Sequence, residues 1–579
     1  MSDAADNGLL NLRWAQTLVD ALAAAGLRAA VLSPGSRSTP LALAFLRQTA
    51  VRCQVIVDER SAAFVALGMA KATRQPVALL CTSGSAPANW FPALIEADLG
   101  AVPLLLLSAD RPPELLGWGA NQTIDQQHLF GRHVRSFYAP PLPAADFSPA
   151  YLQRLAARAI ADSGWPLPGP VHLNLAFREP LLPAGDLLAT HAAAACPPAV
   201  SVAAPLLVPR PQAIADTLAE IGGRPGAIVC GGADYSPQFA AAVSALAAQL
   251  DCPILAEPLS NLRFAAYDRS RLCVRYESFL RPPSPLATAR PEWLLRFGAF
   301  PVTRTLQEWL RAAASALQVV VVTPDSRWPD PQHTAGRLLQ ADPVEACRAL
   351  LAGGGQPAPA SWRGLFARAE AAAEAVARAH CEGAAGLQAP CEGTLIPALL
   401  ERLPAGHRVF CGNSLAIRDL DAFSGSGDKP LRFFGNRGAS GIDGNLSTAL
   451  GIASSGACLA LVGDLTAQHD LTALADAKGR DIIVVVLNNG GGGIFDYLPV
   501  AALPEFERGW LTPQTVDLVA AAHSFGVAGE RVRSLAELTA SVERALRRGG
   551  ATLIEVPIDR RASVAGRQEF WRQVAEALL

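Results

Sequence analysis

Short apolar runs alternate along this chain with longer stretches whose apolar positions recur every three or four residues. Residues 12–25 carry the helical spacing, residues 29–32 form an apolar run, and the turn Ser33-Pro34-Gly35-Ser36 follows. The rhythm continues with strands predicted at 54–57, 77–81 and 102–107, a helix at about 61–73, and a Gly/Ser turn at 82–85. The runs 102–107 and 482–487 contain no polar residue. Such runs are too short to span a bilayer and predict strands buried on both faces of a parallel sheet. Strands that alternate with helices predict doubly wound parallel sheets.

The rhythm breaks twice. The Pro/Ala-rich stretch 183–211 and the Gly/Pro-rich stretch 351–361 read as linkers. Between them, an apolar run at 226–230 precedes Gly231-Gly232 and another at 319–322 precedes Thr323-Pro324. An Ala/Glu-rich helical stretch follows the second linker. Further strands are then predicted at 408–411, 458–462, 482–487 and 552–556. The 579 residues therefore read as three α/β domains with doubly wound parallel sheets, at 1–185, 205–355 and 385–579.

Charge and cysteine content narrow the function classes. Lys+Arg is 49 and Asp+Glu is 51, a net charge of -2, which gives no global basic field for nucleic acid. The N-terminal residues include Asp3 and Asp6 and no basic stretch, so no signal peptide is predicted. The eleven cysteines include no C-x-x-C pair. That argues against a metal cluster or a disulfide framework, and predicts small buried thiols in a reducing cytoplasm.

The densest chemistry lies at 461–497. One apolar strand ends in Gly463-Asp464, a helix-like stretch follows, and a second strand ends in Asn488-Asn489 and four glycines. A βαβ unit of this kind sets the C-terminal ends of two parallel strands side by side. A carboxylate and a carboxamide oxygen then converge as hard ligands, suited to Mg²⁺ or a similar ion that also holds a diphosphate. The glycines allow close backbone approach to phosphate and metal.

This segment resembles the diphosphate-binding motif of thiamine diphosphate enzymes, with Leu465 in place of the usual glycine after Gly463-Asp464. The resemblance implies Asp464, Asn489 and the Gly491 carbonyl as ligands of Mg²⁺ or Mn²⁺, with Gly463 and Leu465 beside the cofactor. It also implies an early acid that hydrogen-bonds the cofactor's pyrimidine ring and drives its imino tautomer. Glu59, just past an apolar strand, is that candidate; the stretches 66–73 and 82–89 resemble the pyrimidine-binding domain of the same superfamily.

Four further motifs resemble one branch of the superfamily, the MenD family of menaquinone biosynthesis: SPGSRSTPLALAF at 33–45, SADRPPELLGWGANQTIDQ at 108–126, GNSLAIRD at 412–419 and NRGASGIDGNLSTALGIA at 436–453. That branch decarboxylates 2-oxoglutarate and adds the succinyl carbanion to isochorismate in a 1,4 (Stetter-type) step. Both substrates are anions, and guanidinium groups grip carboxylates bidentately. The resemblance implies that Arg418 and Arg437 hold the succinyl carboxylate. Ser36, Arg37, Arg111, Asn121 and Gln122 would face isochorismate, and Ser414 would support either substrate. Ile442 would lie under the bent cofactor, Ile494 beside it, and Ile494, Phe495 and Leu498 would wall the site. The family's basic pair in the middle domain is represented here by Arg304. Active sites at subunit interfaces, hence a homodimer or homotetramer, are implied as well.

Three other readings stay open. An acetolactate-synthase-like enzyme would use pyruvate, which has no distal carboxylate to occupy the arginines. A nicotinamide or flavin oxidoreductase lacks support, because no G-x-G-x-x-G follows a strand at a helix start. A catalytically inactive binding protein on the same fold would not need Glu59, Asp464 and Asn489 intact.

Overall fold

The computed structural model describes residues 2–183, 200–313, 318–384 and 391–579. The predicted boundaries at 185 and 385, and Cys196, lie outside the described residues. Three six-stranded sheets are present. The first is built from β1 (Ala29–Leu32), β2 (Arg52–Val55), β3 (Val77–Cys81), β4 (Leu104–Asp110), β5 (Ser136–Tyr138) and β6 (Pro170–Ala176). The second holds β7 (Gly226–Cys230), β8 (Ile254–Ala256), β9 (Leu272–Cys273), β10 (Trp293–Phe297), β11 (Gln318–Thr323) and β12 (Ala335–Gln340). The third holds β13 (Arg408–Cys411), β14 (Arg432–Phe434), β15 (Cys458–Gly463), β16 (Ile482–Asn488), β17 (Ala528–Arg531) and β18 (Ala551–Pro557).

Neighbouring strands pair in parallel throughout these sheets. The unbroken apolar runs are the central strands: every residue of β3 and β4 is buried. The first sheet runs β2-β1-β3-β4-β6-β5 and the third runs β14-β13-β15-β16-β18-β17, the same order shifted along the chain. The middle sheet runs β12-β11-β10-β7-β8-β9, the order of dinucleotide-binding domains.

Two strands are displaced from their sequence expectations: β4, predicted at 102–107, runs Leu104–Asp110, and β2 lies two residues early. The strand predicted at 54–57 lies at Arg52–Val55, and Val57 is 79% exposed. β2 is an edge strand paired with β1, and it ends where Asp58 caps the next helix. The Asp58 carboxylate accepts from the backbone N–H of Arg60 and Ser61, so that helix begins at Glu59 and runs to Thr73.

The chain packs into two compact units. One comprises 1–204, 436–457 and 469–480, and the other 205–435, 458–468 and 481–579. Within the first, the helix Asn445–Ala453 crosses the helix Glu59–Thr73 at backbone contact. A Cβ on Gly68 would stand 2.0 Å from the Thr448 carbonyl oxygen, and one on Gly451 2.1 Å from that of Val65. The ten described cysteines are free thiols, seven of them buried. Among the described residues, no helix is long and apolar enough to cross a membrane.

Candidate active site

Ligands in doubly wound sheets bind beyond the C-terminal strand ends, where the strand order reverses. In the third sheet that point lies between β13 and β15. The segment after β13 turns at Ser414, whose φ of 66° is unusual for a residue with a side chain. Arg418, one turn into the helix Leu415–Phe423, donates from Nη1 to the Ser414 carbonyl oxygen at 2.7 Å. Asp464 follows β15 and is buried. Burial pushes its carboxyl up to about 6, against backbone N–H donation from Leu465 and Gly491. Asp464 thus reaches the glycine turn after β16, the juxtaposition expected from the sequence.

Asn489 lies in that turn. Its Oδ1 is buried and accepts no hydrogen bond among the described residues. A buried carboxylate and an orphaned carboxamide oxygen form an all-oxygen donor set that suits a hard divalent ion. The turn admits no side chain at Gly491, which has φ +130°; a Cβ there would stand 2.0 Å from the Leu511 carbonyl oxygen. Asn488 holds the turn from behind: its Nδ2 donates to Glu555 at 2.7 Å and its Oδ1 accepts from Gly490 N–H at 3.0 Å. Ile494 and Phe495 follow, half-buried, on the short helix Gly493–Tyr497, with Leu498 exposed after it. Asp496 on that helix pairs with Arg560, and Asp419, next to Arg418, pairs with the buried Arg567. Sequence reasoning missed Glu555, Arg560 and Arg567, because each acts through a partner far along the chain.

In the first sheet the order reverses between β1 and β3. The turns 33–36 and 82–85 press together there: a Cβ on Gly35 would stand 2.3 Å from that of Thr82. Ser36 is exposed at the rim, while Arg37 is buried. Arg37 Nη1 donates to the Phe177 carbonyl oxygen at 2.8 Å, and Nη2 pairs with the exposed Glu179 at 2.7 Å. Arg111 donates to the Ser83 hydroxyl. Burial, and then the neighbouring Arg37 charge, lower the affinity of Arg111 for its proton. Two guanidinium groups thus share one crevice. Gln122, at φ 54°, donates from Nε2 to the Ser83 carbonyl oxygen at 3.0 Å and accepts from the Ser83 hydroxyl on its own carbonyl at 3.0 Å. Asn121 is exposed beside it.

A buried polar chain underlies Arg111, and nothing in the local spacing announces it. Ser108 Oγ lies 2.7 Å from His172 Nε2 and donates to Asn174 Oδ1 at 2.8 Å; Asn174 Nδ2 donates to Asp110 Oδ2 at 2.8 Å. Since Ser108 spends its proton on Asn174, His172 is the donor to Ser108 and carries its hydrogen on Nε2. Burial drives His172 down to about 3, so the ring is neutral at physiological pH.

Glu59 opens its helix half-buried, and its charge, after burial, helps raise the Cys81 thiol. Arg437 and Ile442 are half-buried on the segment 436–443 of the same compact unit. Arg304, in the other unit, is exposed and pairs with Glu308, Nε to Oε1 2.6 Å.

Residues 12–129 match the N-terminal TPP binding domain of thiamine pyrophosphate enzymes, and 424–556 match the C-terminal TPP binding domain. The chain is 48% identical over 553 residues to a protein of Dechloromonas aromatica named 2-succinyl-5-enolpyruvyl-6-hydroxy-3-cyclohexene-1-carboxylate synthase, covering 95% of this chain and 99% of that one. It is 41% identical to the protein of that name from Geobacillus kaustophilus, covering 98% of each. The chain belongs to this synthase family. Its fold also matches a benzoylformate decarboxylase from Polynucleobacter necessarius, with TM-score 0.68 and 18% identity, over 94% of this chain and 98% of the other. At that identity the likeness speaks for the fold alone. The synthase family is thiamine diphosphate-dependent, in keeping with the two matched domains.

Proposed function

We propose that the protein catalyses decarboxylation of 2-oxoglutarate and 1,4-addition of the remaining succinyl unit to isochorismate. The products are CO₂ and 2-succinyl-5-enolpyruvyl-6-hydroxy-3-cyclohexene-1-carboxylate, in menaquinone biosynthesis. The observation that carries the reading is the pair Arg37 and Arg111 in one crevice, close enough that their charges interact, with the exposed Glu179 and the buried Asp110 as their carboxylate neighbours. Such a crevice calls for an anionic substrate. An acetolactate-synthase-like activity would leave it without a purpose.

Thiamine diphosphate, when bound, supplies the electron sink for decarboxylation. The chain's own residues bind, orient and move protons. Asp464, Asn489 and the Gly491 carbonyl would hold Mg²⁺ or Mn²⁺, and Gly463 and Leu465 would bring backbone to the diphosphate. Glu59 would exchange a proton with a pyrimidine ring nitrogen. Ile442 and Ile494 would pack against the cofactor, while Phe495 and Leu498 keep water from the reacting carbon. Arg418 and Arg437 would grip the distal carboxylate of 2-oxoglutarate, with Ser414 in support. Ser36, Arg37, Arg111, Asn121 and Gln122 would take isochorismate, and Arg304 would add a charge from the middle sheet's block.

The reading includes a homodimer or homotetramer with interfacial active sites. Val55 and Val57, 53% and 79% exposed just before Glu59, are apolar surface that a second copy would cover. The free thiols accord with a cytoplasmic setting. The test is turnover of the purified protein with cofactor and Mg²⁺. CO₂ release from 2-oxoglutarate should be slow alone and rise sharply with isochorismate; rapid use of pyruvate, indifferent to isochorismate, would refute the reading.

A further inference from the structure

The segment carrying Arg437 and Ile442 wraps the end of the helix Phe91–Leu99. Its approach is close: a Cβ on Gly438 would stand 2.7 Å from the Glu96 carbonyl oxygen. Three successive backbone N–H groups converge there on one carboxylate. Glu96 Oε1 accepts from Gly438 at 3.0 Å, and Oε2 accepts from Ala439 at 2.7 Å and Ser440 at 3.4 Å. Consecutive inward amides make an anion-binding nest, and here the chain supplies the anion itself. Glu96 is 3% exposed. Lys71 meets its charge: Nζ lies 3.1 Å from Oε1 and also donates to Asn436 Oδ1 at 2.9 Å. Asn436 Nδ2 in turn donates to Thr448 Oγ1 at 2.9 Å, which ties the segment's other side to the helix Asn445–Ala453.

We propose that Glu96 and Lys71 are positioning residues for Arg437. The filled nest fixes the turn, and the turn fixes where the guanidinium meets the distal carboxylate of 2-oxoglutarate. This rests on the reading of Arg437 given above. On this proposal Glu96 and Lys71 act through the turn rather than on the substrate. Without the Glu96 carboxylate, three N–H donors of part-buried hydrogen bonds lose their shared acceptor, which lets the turn rearrange. A bidentate grip tolerates little displacement: about 1 Å can cost ~100-fold.

The test is steady-state kinetics of Glu96→Ala as holoenzyme, at saturating cofactor and Mg²⁺. KM for 2-oxoglutarate should rise at least ~10-fold while KM for isochorismate stays within ~2-fold. Formate, small enough to refill the emptied nest, should restore part of the 2-oxoglutarate affinity in Glu96→Ala and not improve that of the wild type. A KM for 2-oxoglutarate that does not move, an equal rise for both substrates, or no rescue would overturn the proposal. Lys71→Met, which keeps the carboxylate and removes its cation, should raise the same KM by a smaller factor; no change there counts against it if Glu96→Ala fails to fold. Arg437→Ala separates the two ideas. If it leaves KM for 2-oxoglutarate unchanged, the reading of Arg437 falls; if it raises that KM and Glu96→Ala does not, only the positioning falls.

Discussion

The first and third sheets have the same strand order and carry opposite chemistry on the turns at their C-terminal strand ends. Between β1 and β3 the crevice gathers guanidinium groups, Arg37 and Arg111. At the ends of β15 and β16 the third sheet gathers oxygen donors, Asp464 and Asn489. Topology fixes where a ligand sits, and the side chains on the turns decide its sign. The middle sheet makes the point by contrast. Its order reverses between β7 and β10, yet a Cβ on Gly231 would stand 2.0 Å from the Ala299 carbonyl oxygen and one on Gly298 2.4 Å from the Tyr235 hydroxyl. Those strand-end turns are packed against each other, so the dinucleotide-binding order is present with its crevice filled.

The contrast can be broken from either side. Glu59→Gln should reduce turnover by ~10²–10⁴-fold, the usual loss of a proton-transfer group, while cofactor binding followed by calorimetry is largely spared. Unchanged turnover would remove Glu59 from the chemistry. Asp464→Ala should act the other way, weakening the apparent Mg²⁺ affinity by more than ~100-fold, since lesser changes around a metal already cost up to that. A metal titration that does not shift would break the oxygen-donor half of the comparison.

Arg111→Met should raise KM for isochorismate by ~30-fold, equivalent to about 2 kcal/mol for a lost charged hydrogen bond. The 2-oxoglutarate KM should hold; if both rise together, the crevice serves no particular anion. The last effect concerns His172 and vanishes at neutral pH. Folded His172 stays neutral down to about 3, whereas in the unfolded chain it takes a proton below 6.5. Its contribution is therefore complete above 6.5 and is lost as pH falls towards 3, at ~1.4 kcal/mol per unit. His172→Gln keeps a donor towards Ser108 and cannot titrate. Between pH 7 and 5 the stability difference between wild type and variant in urea should change by ~2 kcal/mol, to the wild type's cost. A constant difference would mean that the ring titrates normally.

The strand rhythm was legible because central strands of parallel sheets are apolar at every position, as in 482–487 and 102–107. Exact bounds are less legible: the edge strand β2 lies two residues before the expected span, and the central strand β4 runs on through Ser108 and Asp110, polar residues that the apolar pattern excludes. The nearness of Asp464 to the glycine turn after β16 was legible because both belong to a single βαβ unit, whereas Arg37 and Arg111 came into view only through the family motifs that contain them. Strand order was not legible, since the same alternation of helix and strand serves both orders found here. Glu96, Glu555, Arg567 and the Ser108–Asn174–Asp110 chain were hidden for a different reason. Each is a buried polar group whose partner lies in another part of the sequence, and local spacing carries no record of that partner.

The helix crossing at Gly68 and Gly451 bears on how this polypeptide could be divided. Residues 436–457 and 469–480 pack with the N-terminal block although they are translated after the middle one. Expressing the N-terminal block by itself would expose the bare groove along Gly68, and the C-terminal fragment would carry a loose helix with nothing to seat it. Cutting the gene at either linker should therefore give two insoluble pieces that recover only when produced together.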